Sequence, residues 1–364
     1  MNTPIPQMEP WFGDEERLAL DAYMREGGWL TEFRNTQAFE KAIADYVGVK
    51  HCITSNNGTT ALMMINYCLG LVPGDEVIVP NYTMVATPNS VIAAGATPVF
   101  VDVDSDTLCL DLAATKAAIT PRTKAIMLVN ANGRAPQGGV EEFRRLADQH
   151  GVRLIEDSCQ ALGSWYDDDR HMGTVGFAAA FSFSVPKIIT TGQGGVVVTN
   201  DDQFANKLRK IKDFGRSGGG NDIHASIGYN FKFTEMQAVI GLEQMKKLAW
   251  RVERKKDIMR RYRAQLDSVP QVKFFKQDLV RTTPWFIDAL VENRAELQDH
   301  LKKKGIGTRT MYPPINHQEA YRVKGEHPVS NLVGVKGLWL PSASQLSNEQ
   351  IDFIGDSIKE FYRG

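Results

Sequence analysis

Paired cysteines, long apolar runs and an excess of either charge are all missing from this chain, and each absence removes a class of explanation. The four cysteines, Cys52, Cys68, Cys109 and Cys159, are scattered without a C-x-x-C pair. This argues against a disulfide framework or a zinc knuckle and fits a reducing compartment. The seven histidines show no H-x-x-x-H or comparable spacing, so no metal site is expected. The longest uncharged stretch, residues 77–101, is broken by Pro80, Asn81, Pro88, Asn89 and Pro98 and makes a poor membrane span. The opening MNTPIPQMEPWFGDEE has neither a basic segment nor the apolar core of a secretory signal, so the expected compartment is the cytoplasm. Lysine and arginine (42) nearly balance aspartate and glutamate (43), leaving no field to steer nucleic acid or an anionic membrane.

What is present is alternation. With 364 residues the chain has room for about two domains. A Pro-punctuated arm leads into helical patterns at Asp14–Glu26 and Thr36–Tyr46. Apolar runs then recur at Glu76–Val79, Thr97–Val101, Lys124–Val129, Val152–Ile155, Ala178–Phe183 and Val196–Thr199, with helical spacing at Leu112–Ile119 and Val140–His150. Strands and helices alternating at this interval predict an α/β fold: a mostly parallel sheet covered by helices on both faces, in three α/β/α layers. A basic helix is expected over Glu243–Leu266, its stems covering a core stripe. After Pro270 the pattern becomes α+β. The expected division is a large domain over residues 1–250, including the arm, and a small C-terminal domain over residues 251–364.

Three constellations carry chemistry. In FSFSVPKIITTGQGGVVVTN, Lys187 sits between apolar strings; burial favours loss of its proton, and a neutral amine can form a Schiff base. Read alone, a surface lysine at a strand end is the commoner case. In TSNNGTTAL, Gly58 and Thr59 open an apolar helix after a polar turn, and the free N–H groups of a helix start attract phosphate. An N-cap by Ser or Asn accounts for the same residues. In IEDSCQ, Asp157 ends a strand, where it can hold a protonated ligand nitrogen or simply cap a turn; Glu156 faces the other side and is the weaker candidate. A phosphate cradle, a strand-end Asp and a lysine thirty positions later fit one cofactor, pyridoxal 5′-phosphate (PLP).

Together with GYNFKFTEMQAVIG, MYPPINHQEAY and LPSASQLSNEQI, these motifs resemble the DegT/DnrJ/EryC1/StrS family of PLP-dependent sugar aminotransferases, of the aspartate-aminotransferase type I fold. The resemblance runs over nearly the whole chain. It implies Lys187 as Schiff-base lysine and proton carrier, Asp157 on the pyridine nitrogen and Gln160 at the ring hydroxyl. It further implies Gly58, Thr59 and Ser182 on the phosphate, with Asn230 reaching it from the partner subunit of a homodimer. The amino donor implied is L-glutamate. Lysine at 187 excludes the sub-branch that carries histidine there and dehydrates its sugar.

Three stretches depart from the family pattern. Met84 stands where an aromatic ring usually covers the cofactor, leaving Met84 or Tyr82 as the expected cover. Asn130-Ala131-Asn132-Gly133-Arg134 replaces H-x-Y-G, and the loop Gly215–Ala225 is unusually rich in glycine. Two substrates for surface-glycan or lipopolysaccharide biosynthesis therefore remain: a nucleotide-linked 4-keto-6-deoxy sugar of the GDP-perosamine type, or an 8-oxo sugar acid of the Kdo type. A sugar acid needs a cation, for which Arg134, Arg216 and Arg309 are the candidates. Asn132 is a candidate by position, and Tyr312 and His317 by resemblance. The alternative to an enzyme is a PLP-binding regulator on the same fold, against which stand the retained Lys187 and the lack of a helix-turn-helix unit.

Overall fold

The computed structural model describes residues 4–218, 222–323 and 325–363. Residues 219–221, at the centre of the glycine-rich loop, lie outside them. Eleven strands and eleven α-helices are built among the described residues. The first seven strands are β1 (His51–Ser55), β2 (Glu76–Pro80), β3 (Thr97–Val101), β4 (Thr123–Val129), β5 (Arg153–Asp157), β6 (Ala178–Ser182) and β7 (Gly195–Thr199). They form one sheet in the order β1-β7-β6-β5-β4-β2-β3. Strands β3, β2, β4, β5 and β6 run parallel, and β7 is antiparallel to both its neighbours. The strands are apolar along their length because both faces are covered: Val77, Ile78 and Val79 are all fully buried.

The helices in chain order are α1 (Asp14–Glu26), α2 (Arg34–Val47), α3 (Gly58–Cys68), α4 (Ala86–Ala93), α5 (Leu112–Ala118), α6 (Val140–His150), α7 (Asp202–Lys212), α8 (Glu235–Leu266), α9 (Arg294–Lys303), α10 (Pro328–Lys336) and α11 (Asn348–Arg363). Helix α6 illustrates why they form. Val140, Phe143, Leu146 and Ala147 make one buried stripe at helical spacing, and Gly151 closes the helix in the left-handed region. A second sheet, in the order β10-β11-β9-β8, joins β8 (Val272–Phe274), β9 (Ile287–Val291), β10 (Arg309–Thr310) and β11 (Gly337–Leu340), all antiparallel.

The basic helix is longer than its charge pattern suggests. It begins at Glu235, where Thr234 and Gln237 form a capping box, and runs unbroken for 32 residues. Gly241 lies within it, just before the stretch expected to be helical. A Cβ there would lie 2.7 Å from the Phe39 ring, so the glycine serves close packing of α2 on α8 and does not interrupt the helix. Residue 250 falls inside this helix. Leu248 and Val252 pack with Phe39, Ile43 and Phe181, while Ile258, Met259 and Tyr262 pack with Ile287, Leu338 and Ile351. The arm seats Ile5 in this second core, bonding its backbone to Gly305 and Gly307.

Where the two cores meet, α8 buries a lysine. The Lys255 amine is bonded to the Ser342 carbonyl at 2.5 Å, and burial pushes its pKa from 10.5 down to about 7. Between these values the unfolded chain holds a proton that the folded chain does not. Stability from this group therefore rises with pH from about 7 to 10.5. Lys255→Met should be more stable than wild type near neutral pH and should lose this rise. Urea unfolding of both proteins at pH 7 and pH 9 checks it.

Candidate active site

The carboxyl ends of β5 and β6 open onto a cavity of about 690 Å³, the place where a parallel sheet collects its ligands. Gly58, Thr59, Met84, Asp157, Gln160, Ser182, Lys187, Arg309 and Tyr312 all line it. Residues from five separate stretches of chain thus converge.

One wall is the start of α3. Asn57 caps it, accepting from the Thr60 N–H at 2.9 Å, so the N–H groups of Gly58 and Thr59, first in the helix, keep no intrahelical partner. Gly58 lies hard against β6: a Cβ there would stand 2.7 Å from Ser182 Cβ and 3.2 Å from Cys159 Sγ. The hydroxyl of Ser182 is thereby held beside the helix start. Two free N–H groups and a hydroxyl at the positive end of a helix dipole suit a phosphate.

On the floor, the Asp157 carboxylate is buried and oriented by two donors, Thr87 Oγ1 at 2.8 Å and the Cys159 N–H at 3.2 Å. Its neighbour Glu156 points the opposite way. It accepts the N–H groups of Gly173, Val175 and Gly176 at 2.8, 2.8 and 2.6 Å, a structural anchor. Gln160 accepts the Asn132 N–H at 2.7 Å, which fixes its carbonyl away from the cavity and presents its amide N–H₂.

The Lys187 amine has no hydrogen-bond or ion-pair partner among the described residues; it rests 4.0 Å from the centroid of the Trp285 ring. Burial lowers its pKa below 10.5, opposed by the nearby Asp157 carboxylate. Cys159 is pushed well above the usual thiol range, first by burial and then by Asp157, so it stays a neutral thiol. Tyr312 is raised by burial against the opposing charge of Arg309 and stays a phenol. These residues fit PLP: an anion cradle, a carboxylate for the ring nitrogen and an unpaired amine face one space.

Other candidates lie elsewhere. Arg134 is buried and makes a two-pronged ion pair with Asp288 (3.0 and 2.8 Å), while its Nε donates to the Thr107 carbonyl. It is not the free cation expected, because four donor bonds, including one to Gln277, occupy its guanidinium. Asn132 is likewise consumed, clamping both backbone groups of Phe286 and the Asp288 carboxylate. Tyr82 is buried beside Tyr312 in a small adjoining space, so Met84 and not Tyr82 borders the main cavity. Arg216 pairs with Asp213 and Asp222. His317 and Asn230 are exposed outside the cavity. Sequence reading missed Thr87, which has no local signal, and Trp285, whose only signal is an aromatic after Pro284 at the head of a strand-like run. Among the described residues, no group of three or more His, Cys, Asp or Glu side chains is placed to hold a metal.

Fold and cavity together define a class, the PLP-dependent aminotransferases. Residues 12–359 match the DegT/DnrJ/EryC1/StrS aminotransferase family, and the chain belongs to it: a sugar aminotransferase that uses PLP. The GDP-perosamine synthase of Escherichia coli O157:H7 is 36% identical, covering 98% of each chain. That of Caulobacter vibrioides is 36% identical over 93% of each. Among solved structures, DesV of S. venezuelae superposes with a TM-score of 0.92 at 30% identity over 100% of both chains. A family aminotransferase from Brucella abortus gives 0.91 at 31% identity over 96% of both.

The contact at Gly58 yields a direct expectation. Gly58→Ala must push the start of α3 away from Ser182, an overpacking worth about 1–3 kcal/mol. PLP affinity should fall roughly tenfold or more, read by fluorescence titration of the apo-protein, with the far-ultraviolet spectrum unchanged.

Proposed function

We propose that the chain moves an amino group from L-glutamate to an oxo-sugar destined for a surface glycan or lipopolysaccharide. The observation that carries this is the convergence of Lys187, Asp157 and the open start of α3 on one cavity. In this reading Gly58, Thr59 and Ser182 hold the cofactor phosphate, Asp157 keeps the ring nitrogen protonated and Gln160 donates its amide to the ring hydroxyl. Met84 covers the ring face. When bound, PLP supplies an electron sink that eases removal of a proton from the amino-bearing carbon. Lys187 takes that proton at Nζ and returns it, a role for which its lowered pKa is suited.

Among the described residues, Arg309 is the only cation besides Lys187 that borders the cavity, and it has no acidic partner there. We assign it to the donor's carboxylate. The first substrate reading, a GDP-linked 4-keto-6-deoxy sugar, is supported by the full-length similarity to GDP-perosamine synthases. The second, an 8-oxo sugar acid, is supported by Arg309 itself, which can receive the acid's carboxylate after glutamate's carbon skeleton has left. Tyr312, a cavity-lining phenol, is the hydroxyl we place near either sugar.

A homodimer with shared sites is part of this reading. Trp29, Leu30, Phe33 and Ile227 are 68%, 51%, 47% and 83% exposed, an apolar surface that a second copy would cover. Asn230, exposed beyond its own cavity, would then reach the neighbour's phosphate. Four free thiols agree with work in the cytoplasm, and no helix among the described residues is long and apolar enough to cross a membrane.

Wild type loaded with PLP should convert one of the two sugars in the presence of L-glutamate, read as product mass. Lys187→Ala should lose the visible absorbance of bound PLP and drop turnover by at least roughly 10²–10⁴-fold. Retained absorbance and turnover in that variant would remove Lys187 from the mechanism. No response of wild type to any amino acid would favour a regulator.

A further inference from the structure

Lys187 is the centre of the site, yet the group it touches comes from the far end of the chain. The Trp285 ring, 5% exposed, lies 4.0 Å from Nζ and is the one direct contact of the amine among the described residues. Its indole N–H donates at 2.7 Å to the carbonyl of Pro186, the residue before Lys187, so the ring is tied to the lysine's own backbone. Behind it, Phe286 stacks at 4.0 Å and Trp339 meets it edge-on at 5.8 Å. Asn132 then grips Phe286 through both backbone groups. The ring has little freedom to turn.

Lys187 and Trp285 both border three spaces: the main cavity, a small one lined by Leu162 and Thr283, and another behind it lined by Met8, Trp11, Lys255 and Arg251. The amine therefore sits on a threshold. We propose that Trp285 is a positioning residue that parks the free Lys187 ammonium on its ring face, keeping the charged amine out of the cofactor's space until it gives up its proton. This rests on the cofactor role assigned to Lys187 above.

The charged and titratable groups facing the amine are Asp157 and Cys159 from the floor and Tyr312 and Arg309 from across the cavity, with Lys255, Arg251 and Glu9 behind. None of them bonds to it among the described residues, so the ring face is left as the local stabiliser of the charge.

The test compares Trp285→Phe, which keeps a ring, with Trp285→Leu, which keeps only apolar bulk. Both lose the bond to Pro186, so their difference isolates the ring. In apo-protein, acetic anhydride labelling of Lys187 is followed by mass spectrometry across pH. The labelling midpoint should fall from wild type to Phe to Leu, with about 0.5–1 pH unit between the extremes. The rate of PLP uptake should shift along the pH axis with it. A Leu midpoint equal to or above that of Phe would overturn the proposal. Because labelling reads the amine whether or not it binds PLP, that result would leave the Lys187→Ala test untouched.

Discussion

A half-buried lysine amine with no bonded counter-ion among the described residues is the constraint around which this protein is arranged. Burial weakens the hold of Lys187 on its proton, as the role proposed for it requires, but a charged amine in such a place must still be tolerated part of the time. The fold meets both demands with geometry. Asp157 is near enough to favour the ammonium but is committed to Thr87 and Cys159, and an aromatic face takes the remaining contact. A closer carboxylate would fix the proton and silence the amine.

The rest of the site follows from how the sheet is built. Successive residues of a strand face opposite sides, so Glu156 and Asp157 part company at one peptide bond. One carboxylate anchors the loop at Gly173–Gly176 and the other enters the cavity. The same sheet brings Ser182 at the end of β6 against Gly58 at the start of α3, two residues 124 positions apart that meet only because no side chain intervenes.

How much of this was legible depended on whether the signal was local. Strand β3 and helix α6 were read at their observed bounds or within one residue, because burial on known faces imposes a period that the sequence must obey. Lys187, Asp157 and Gly58 were legible only in combination, since each alone has a commoner reading and the three together fit one cofactor. Arg134 misled because its fate is decided by Asp288, 154 residues away, and a buried pair leaves no trace in the neighbourhood of either member. Asn132 misled for the same reason. Trp285 was missed since an aromatic before a strand normally means core, and here it is both core and wall of the site.

Helix α8 has one more consequence. Its 32 residues, about 48 Å of unbroken α-helix, contribute to two hydrophobic cores at once. Enzymes that close by swinging one lobe over another need a few soft residues between the lobes. Here one covalent path is a rigid rod, and the other is the arm pinned at Ile5. Access to Lys187 must instead be governed by small sliding of side chains over the rod and by the loops that border the cavity, so the mouth of the site resembles a shutter more than a jaw.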